Sequence, residues 1–282
     1  MHRLLAKRKI FPLGLGAMAT CEYTPKASQA EAMVFFQYAA RQGIELFDTA
    51  DVYGLGRNEQ LLGKAFSTAE KQKLILATKG GCTRPGGVDW DTDGRPSHLK
   101  EASQESLKRL QVKQIFLYQL HAPDNRVPFR ESVQALKELQ EQGLVKHLGL
   151  SNVSLAQLQE AEKMIEIVSV QNHFNLAVKK DERDVLPYCT KNKIAYLPYF
   201  PLGGGFGASI LRHPKVVQLA QQEGITSSQL CLAWIMQKWP TAIPIPGTKN
   251  REHLEQNMAA AKLTLSSAAL EKIDQISPQN FH

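Results

Sequence analysis

Short apolar runs alternate with amphipathic segments along the whole chain, and this alternation limits the possible folds more than any other sequence feature. Seven runs are apolar enough to predict strands buried on both faces, at residues 45–48, 74–79, 115–121, 148–151, 167–171, 194–199 and 242–245. Residues 13–16 predict a weaker first strand, because its two glycines reduce strand stability. Strands that alternate with helices form a parallel sheet, and eight such units in 282 residues favour a closed (β/α)8 TIM barrel.

Residues that favour helix starts and ends lie between the predicted strands. We expect helices to begin at four capping residues, Ser28, Asn58, Ser97 and Ser154. The first of these helices would turn Met33, Phe36 and Ala40 toward the core. Gly143 is placed to end a helix, and later helices are predicted over residues 181–191, 227–238 and 251–261. No linker or low-complexity segment separates the units, so we expect a single domain over residues 1–282.

An open dinucleotide-binding sheet is the main alternative for a chain of alternating strands and helices. Such a sheet would need the spacing G-x-G-x-x-G at the start of its first helix. The segment from Gly14 to Ala19 has the first two glycines but lacks the third, and no helical pattern begins there. The sequence therefore favours the barrel.

Composition and charge argue against several classes of function. The 34 Lys and Arg residues exceed the 27 Asp and Glu residues and give a net charge of +7, but no run of five like charges predicts a nucleic-acid surface. No apolar run approaches the ~18–20 residues that span a bilayer. Residues 1–9 are basic and lack the apolar region of a secretion signal. We therefore expect a cytoplasmic protein with neither nucleic-acid nor membrane partners.

Cysteine and histidine spacing predicts neither a metal site nor a disulfide framework. The four cysteines lie far apart and form no C-x-x-C pair; they are Cys21, Cys82, Cys189 and Cys231. His147 and His173 adjoin predicted strands, but no third ligand stands at metal spacing. Reduced thiols and no bound metal are the expectation.

Polar residues end one predicted strand after another. They are Asp48, Lys79, His121, Ser151 with Asn152, Gln171 and Tyr199. The C-terminal ends of the strands carry the active site in barrels of this type. A single buried polar group would cost ~1–3 kcal/mol if it stayed unpaired, so six consecutive strands of this kind indicate a shared polar ligand at the barrel mouth.

The same residues suit proton transfer to a carbonyl oxygen. Tyr53 lies five positions beyond Asp48, and a phenol ordinarily loses its proton near pH 10. We expect the Lys79 ammonium to lower the pKa of Tyr53, and Asp48 to hold Lys79 in place. His121 would donate a hydrogen bond to the substrate oxygen or relay a proton. None of these side chains carries a hydride, so a cofactor must supply it.

Several motifs, in order, resemble those of the aldo-keto reductase family. They are residues 43–53 followed by Asn58, Glu59 and Gly63, then 76–79, 117–124, 149–152, 170–172 and 245–249. The resemblance covers about residues 10–275. It implies a catalytic tetrad of Asp48, Tyr53, Lys79 and His121, with Tyr53 as the proton donor.

The resemblance also implies which residues bind the cofactor. Ser151, Asn152 and Gln171 would hold the nicotinamide carboxamide, and Tyr199 would stack on its ring. The loop that begins with Leu202, Gly203 and Gly204 and continues to Gly207 would lie over the pyrophosphate, although a flexible turn is the alternative. The adenosine and its 2′-phosphate would be held by Gly247, Thr248, Lys249, His253, Gln256 and Asn257.

Two departures from the family pattern bear on specificity. Longer-tailed members carry Lys-Ser where this chain has Gly247-Thr248, and Arg where it has His253; the chain resembles a shorter-tailed branch in which Lys249 supplies the cation. We expect NADPH, while NADH stays open. With Arg251 and His253, Lys249 would form a cluster of up to three cations.

The second departure concerns the substrate. Only six residues follow Ile276, so the long loop that closes over bulky substrates is not expected, and small aldehydes or ketones fit better. Trp90 is a candidate wall of the substrate pocket, with a packed loop aromatic as the alternative. Pyridoxal, methylglyoxal and generic aldehydes remain equal candidates. An alcohol dehydrogenase working in the oxidative direction and a non-catalytic, NADPH-sensing subunit are the other functions compatible with these residues, and the oligomeric state is not indicated.

Overall fold

Strands and helices alternate along the chain in the order that the sequence predicts. The computed structural model describes residues 2–20, 29–87, 89–204 and 207–281. The strands are β1 (Arg3–Leu5), β2 (Arg8–Ile10), β3 (Leu15–Gly16), β4 (Leu46–Asp48), β5 (Ile75–Gly80), β6 (Cys82–Thr83), β7 (Asp91–Thr92), β8 (Ile115–Leu120), β9 (Val145–Ser151), β10 (Ile167–Gln171) and β11 (Ala195–Tyr196). The helices are α1 (Gln29–Gln42), α2 (Arg57–Ala65), α3 (Thr68–Lys73), α4 (Pro96–Leu110), α5 (Phe129–Glu141), α6 (Leu155–Glu162), α7 (Val185–Asn192), α8 (Gly207–Leu211), α9 (Pro214–Gln222), α10 (Ser227–Lys238), α11 (Arg251–Ala259) and α12 (Ser267–Asp274).

The parallel sheet closes on itself as a barrel. Seven strands pair in the order β3, β4, β5, β8, β9, β10 and β11, and every neighbouring pair is parallel. The two free edges are joined by the segment after α10, through parallel bridges from Ala242 to Tyr196 and from Gly247 to Gly16. The predicted (β/α)8 barrel is confirmed.

The last two barrel strands are shorter than the apolar runs predict. Residues 194–199 form only the two-residue strand β11, and residues 242–245 pair through bridges and isolated hydrogen bonds. Proline has no N–H group to donate to a ladder; Pro198 and Pro244 stand in these segments, and Pro246 directly follows the second. Their apolar character still places them in the barrel wall.

A hairpin that the sequence analysis missed covers the N-terminal end of the barrel. β1 and β2 pair antiparallel, and Leu5 and Ile10 pack fully buried against the apolar side chains inside the barrel. Glu45, just before β4, accepts hydrogen bonds from the backbone N–H of Phe11 and from Arg8. This hairpin fills one end, so the polar strand ends face solvent at the other.

Two of the predicted helix caps are wrong. Asn58 lies inside α2, fully buried; its Nδ2 donates to the Ala17 carbonyl oxygen at 2.8 Å, and its Oδ1 accepts from the Thr49 hydroxyl at 2.6 Å. α4 begins at Pro96 rather than at a Ser97 cap, because proline with its fixed φ suits the first helical position.

Two other predictions of helix ends, at Ser154 and Gly143, agree with the structure. Ser154 forms a full capping box with Gln157, and Gly143 follows α5 with a positive φ of 75°, as predicted. Ser28 lies outside the described residues. On α1, Phe36 is fully buried, whereas Met33 and Ala40 are half-buried at the margins of the inner face.

Three later helices lie where they are predicted, with small differences at their ends. Residues 181–191 form a 3₁₀ turn (Lys180–Arg183) followed by α7, and residues 251–261 form α11 followed by a second 3₁₀ turn (Ala260–Lys262). The predicted helix over 227–238 is α10. Among the described residues no helix is both long and apolar enough to cross a membrane.

Candidate active site

Three neighbouring strands bring Asp48, Lys79 and His121 to the same end of the barrel. The Lys79 ammonium lies 2.7 Å from Asp48 Oδ2, and both side chains are almost fully buried. Lys79 Nζ also donates to the backbone carbonyl of Thr49 at 2.8 Å. A buried ammonium is tolerated where a carboxylate and further hydrogen bonds replace its water. Asp48 therefore holds Lys79 in one position, as expected.

The turn after β4 places Tyr53 above this ion pair. The backbone N–H of Asp51 donates to the Lys79 carbonyl, which ties the turn to β5. Lys79 Nζ is 5.1 Å from the centre of the Tyr53 ring, and the His121 ring is 5.8 Å away in an edge-to-face arrangement. All four residues of the expected tetrad are thus brought together.

The acidity of Tyr53 differs from the sequence-based expectation. Burial raises the pKa of Tyr53 well above 10, and the charge of Asp48 raises it further, followed by Cys82 and Asp51. The net pKa is therefore raised and not lowered, contrary to the expectation, because desolvation of the phenol and the Asp48 charge outweigh the Lys79 ammonium 5.1 Å from the ring centre. Tyr53 consequently keeps its proton at neutral pH, the state that a proton donor requires.

His121 is a neutral imidazole. Burial lowers the pKa of His121 well below 6.5, and the neighbouring Lys79 charge lowers it further. Its Nδ1 is buried, and no hydrogen-bond partner for it exists in the described parts of the chain. A neutral ring offers one N–H donor, so of the two roles considered for His121, donation of a hydrogen bond fits better than proton relay.

An ionic cluster that sequence reasoning missed lies beneath the Tyr53 turn. Glu59, fully buried in α2, accepts from the Thr78 hydroxyl at 2.5 Å and from Arg109 Nε at 2.6 Å. These contacts connect α2, β5 and α4 directly under the catalytic residues. Glu59 stands in the first motif, but spacing alone gave no indication of its partner fifty positions away in α4.

A polar strand residue was missed as well. Gln119 Nε2 lies 3.5 Å from Asp48 Oδ1, and Gln119 Oε1 accepts from the Ser169 hydroxyl at 3.3 Å. Gln119 precedes His121 by two positions, and His121 directly follows β8, so the two-residue period of a strand turns both side chains to the same side. That spacing is the sequence signal that could have revealed it.

Asp51 gives a prediction about stability. Its Oδ1 is buried without a hydrogen-bond partner among the residues that the structure describes. Burial, and next the Glu59 charge, raise the pKa of Asp51 to about 8. An unfolded chain would ionise Asp51 near pH 4. Folding therefore becomes less favourable as pH rises from about 4 to about 8, where the folded protein alone must keep this carboxyl protonated.

Asp51→Asn should remove this penalty. The gain in the free energy of unfolding over the parent should increase from pH 5 to pH 8, on the order of 1 kcal/mol per pH unit. Urea unfolding at several pH values measures it. A gain that is constant over this range would mean that Asp51 is ionised in the folded protein.

The residues expected around the nicotinamide lie next to the tetrad. Gln171 Nε2 donates to Asp48 Oδ1 at 2.8 Å, and Ser151 is buried at the end of the adjacent strand. Asn152 has a left-handed φ of 58°; its Nδ2 donates to the His121 carbonyl, and its Oδ1 accepts from the Tyr199 hydroxyl at 2.8 Å. Amide and hydroxyl groups are therefore concentrated on one side of Asp48 and His121.

Tyr199 has a partner that the sequence did not predict. The His173 ring stacks on the Tyr199 ring, with centres 5.1 Å apart and an angle of 16° between the planes. His173 therefore covers one face of the Tyr199 ring. Stacking of a nicotinamide would have to use the opposite face.

The loop expected over the pyrophosphate is described in part. Leu202 packs partly buried against the core, and Gly203 and Gly204 adopt positive φ values of 94° and 60°. A Cβ on Gly204 would come within 2.8 Å of the Phe200 ring, so this position favours glycine. Gly205 and Phe206 lie outside the described residues.

The residues expected around the 2′-phosphate follow the strand segment that closes the barrel. Gly247 pairs with Gly16, and a Cβ on Gly16 would lie 2.7 Å from the Ile245 carbonyl oxygen. Around the start of α11, Lys249 and His253 are exposed, Gln256 is half-buried, and Thr248 and Asn257 are buried.

One of the three expected cations makes a contact that the sequence did not predict. The Arg251 guanidinium lies over the Tyr38 ring of α1, 4.7 Å from its centre. Asn250 caps α11, and its side chain accepts from the backbone N–H groups of Glu252 and His253. Lys249 is therefore the exposed cation directly before the helix, with His253 beyond it.

Trp90 lies over the tetrad on the hairpin formed by β6 and β7. Its ring centre is 6.3 Å from that of Tyr53 and 6.0 Å from that of His121, while 51% of the residue is exposed. The Arg84 guanidinium lies 5.2 Å from its centre on the same hairpin. This position favours the pocket-wall interpretation over a packed loop aromatic.

Other expected sites give simpler results. The described cysteines, Cys82, Cys189 and Cys231, are buried free thiols, and Cys21 is outside the described ranges. Within residues 2–20, 29–87, 89–204 and 207–281, no group of three or more histidine, cysteine or carboxylate side chains is arranged to hold a metal ion.

A parallel barrel with ionisable and amide side chains gathered at the C-terminal ends of its strands has the architecture of a TIM-barrel enzyme. The chain belongs to the Aldo/keto reductase family, whose sequence model matches residues 12–278. It is an oxidoreductase by this membership, and the family resemblance of its motifs is confirmed.

Individual relatives agree with this assignment. The chain is 40% identical to a protein of Schizosaccharomyces pombe named as an uncharacterized oxidoreductase, over 82% of this chain and 74% of that one. It is 34% identical to the pyridoxine 4-dehydrogenase of Escherichia coli, over 97% of both chains. Among solved structures, an aldo-keto reductase from Klebsiella pneumoniae in complex with NADPH has a TM-score of 0.85 at 25% identity, over 99% of this chain and 96% of that one.

Proposed function

We propose that the protein reduces small aldehydes or ketones to alcohols, with the hydride from NADPH and the proton from Tyr53. The protein is an NADP-dependent oxidoreductase of the aldo-keto reductase family, and relatives of its fold include a complex with NADPH. The observation that carries the proposal is the contact set of Tyr53, Lys79, Asp48 and His121 at the open end of the barrel.

The reaction needs one group that the protein lacks, and bound nicotinamide supplies it as a hydride to the carbonyl carbon. Ser151, Asn152 and Gln171 are suited to a carboxamide, because they present hydroxyl and amide groups beside Asp48. The buried and unpartnered Nδ1 of His121 is a further sign, within the described residues, that this end of the barrel is built for a polar ligand.

The proton steps follow from the contacts of the tetrad. Tyr53 keeps its proton until negative charge develops on the carbonyl oxygen, and then donates it. Lys79, whose ammonium lies 5.1 Å from the centre of the Tyr53 ring, stabilises the resulting phenolate, while Asp48 and the Thr49 carbonyl fix the ammonium. The neutral His121 donates an N–H to the same oxygen and orients the carbonyl.

The surroundings of Tyr53 favour small substrates with an apolar or planar part. Trp90 offers an aromatic face above the tetrad. Leu55, two residues after Tyr53 in the sequence, is an apolar side chain that is 68% exposed. Because a relative is named pyridoxine 4-dehydrogenase, pyridoxal belongs in a substrate panel with methylglyoxal and simple aldehydes. The same name supports alcohol oxidation by the reverse reaction as a second candidate.

A panel of carbonyl compounds, followed by NADPH absorbance, tests this function directly. Turnover of at least one small aldehyde is the expected result, and the parallel assay of alcohols with NADP⁺ compares the two directions. Tight NADPH binding without turnover of any carbonyl or alcohol would contradict the proposal and favour a cofactor-sensing subunit.

Lys249→Ala should weaken NADPH binding at least tenfold and leave NADH binding almost unchanged. We propose that the exposed Lys249 ammonium contacts the 2′-phosphate, which only NADPH carries. A charge-assisted contact of this kind contributes ~1.5–3 kcal/mol, or roughly 10–150-fold in affinity, and salt should reduce it.

Fluorescence titration of both cofactors measures this effect. Lys262→Ala is the control, because Lys262 is also exposed but lies beyond the other end of α11. Equal losses for NADPH and NADH in Lys249→Ala, or no loss for either, would show that Lys249 does not distinguish the cofactors.

A further inference from the structure

The Arg126 guanidinium connects two separate loops at the open end of the barrel. Its Nη2 and Nη1 lie 3.0 and 3.2 Å from the two carboxylate oxygens of Asp91, on β7. Its Nε lies 2.9 Å from Asp124 Oδ1, in the turn after β8, and Nη2 also donates to the Thr92 carbonyl. One side chain therefore holds both loops.

Each of these loops carries a residue of the proposed active site. Asp91 directly follows Trp90, and Asp124 lies three positions after His121. The rings of Trp90 and His121 are 6.0 Å apart. Any shift of the hairpin relative to the turn after β8 would therefore change the distance between the pocket wall and the tetrad.

The strand pairing within the hairpin is short. β6 and β7 pair over only two residues each, and isolated two-stranded hairpins are marginally stable. A cleft of about 380 Å³ lies between the two loops, lined by hairpin residues and by Asp124, Arg126 and Val127. The Arg126 fork spans this cleft, since its contacts reach both walls.

Burial of Asp124 fixes the Arg126 end of this connection, whereas the Arg126 and Asp91 side chains are themselves 61% and 46% exposed. Hydrogen bonds from Arg126 are the main cause of the lowered pKa of Asp124. The pKa of Asp91 is lowered first by a hydrogen bond from the Thr92 backbone N–H and next by those from Arg126. The Asp124 side chain is only 3% exposed, and its other oxygen accepts from the Gly94 backbone N–H at 3.0 Å, at the base of the hairpin. Planar, two-pronged contacts of this type restrict geometry more than a lysine would.

We propose that Arg126 is a positioning residue that sets Trp90 over the tetrad and so controls the KM for the carbonyl substrate. It acts through Trp90 and does not touch the reacting atoms. The proposal rests on the proposed function for its kinetic part, whereas its structural part concerns the hairpin alone.

The kinetic test compares Arg126→Ala with a matched control, Arg95→Ala. Arg95 has a similar exposure and pairs with an aspartate, but its partner is Asp93 on the same loop. Arg126→Ala should raise the KM for the aldehyde that the panel identifies about tenfold, with kcat and the NADPH Kd changed less than about threefold. Arg126→Lys should fall between Arg126→Ala and the parent, and Arg95→Ala should match the parent.

A double variant separates positioning from a general structural effect. If Arg126 acts through Trp90, Trp90→Ala with Arg126→Ala should have the same kcat/KM as Trp90→Ala alone. Additive losses in the double variant would overturn the proposal, as would an unchanged KM in Arg126→Ala.

Hydrogen exchange followed by mass spectrometry gives a result that does not depend on activity. Backbone amides of residues 82–94 should exchange faster in Arg126→Ala than in Arg95→Ala, while the barrel strands are unaffected. Asp91→Asn, which keeps the fold of the Asp124 turn, should show a smaller increase in the same peptide. Equal exchange in all variants would overturn the proposal, even if no carbonyl substrate were found and the proposed function failed.

Discussion

Tyr53→Phe should lower kcat for carbonyl reduction by about 10²–10⁴-fold and leave the NADPH Kd nearly unchanged. General-acid catalysis contributes on this order, and the substitution removes only the hydroxyl. The ring contacts with His121 and Trp90 would remain, because they involve the ring and not the oxygen. Steady-state kinetics at saturating NADPH, with fluorescence titration of the cofactor, measures both quantities.

A second tyrosine provides the control for this substitution. Tyr188 in α7 donates its hydroxyl to Glu162, far from the barrel mouth in the fold, so Tyr188→Phe should keep kcat within about twofold of the parent. If Tyr53→Phe retained more than half of the parent activity, another group would have to be the proton donor.

Lys79→Met should reduce both kcat and stability strongly. Removing one partner of a buried ion pair costs ~3–5 kcal/mol, and here it leaves Asp48 without its ammonium. The kcat should fall at least about 100-fold, since the phenolate loses the cation beside it. Without that cation the pKa of the acid rises further, so the high-pH limb of any residual activity should move to higher pH.

Combining substitutions separates the two effects of Lys79. Asp48→Asn with Lys79→Met removes both charges and should recover much of the stability in urea unfolding, but not the activity. Asp48→Asn alone should retain more activity than Lys79→Met, because the ammonium keeps the Thr49 carbonyl as a partner. Parental kcat in Lys79→Met would exclude the ammonium from the mechanism.

The parts of this protein that sequence predicts are those set by local periodicity. Apolar runs place the barrel strands, and because parallel strands end at one rim, Asp48, Lys79 and His121 were expected to meet there. Their contacts in the structure agree with that reasoning. Ser154 was also predictable as a cap, since its partner Gln157 lies three residues away.

The parts that sequence did not predict depend on distant partners or on burial. Asn58 is a residue type that often caps helices. However, α2 begins at Arg57, so Asn58 lies inside the helix, and its side chain donates to the Ala17 carbonyl instead. The contact of Arg251 with the Tyr38 ring, more than two hundred positions away in the chain, was not predicted. The raised pKa of Tyr53 is caused mainly by desolvation, and the spacing of residues in the sequence does not predict how deeply a side chain is buried.

The closure of the barrel joins the two ends of the chain. The backbone N–H groups of Gly14 and Gly16 donate to the carbonyls of Pro244 and Pro246, and Arg3 donates to the Met236 carbonyl, 233 positions away. Contacts of such long sequence separation form late, because the loop between them must first be ordered. The proposed contacts of Lys249 with NADPH lie two residues beyond the last bridge.

It follows that the cofactor can recognise only chains in which the two ends have already met. A ligand that binds the native state alone stabilises it by about 2.7 kcal/mol at a concentration of 100 Kd. In a cell, the bound cofactor would then stabilise the folded protein against unfolding. Its abundance, and not only its turnover rate, would then follow the supply of this cofactor in either redox form.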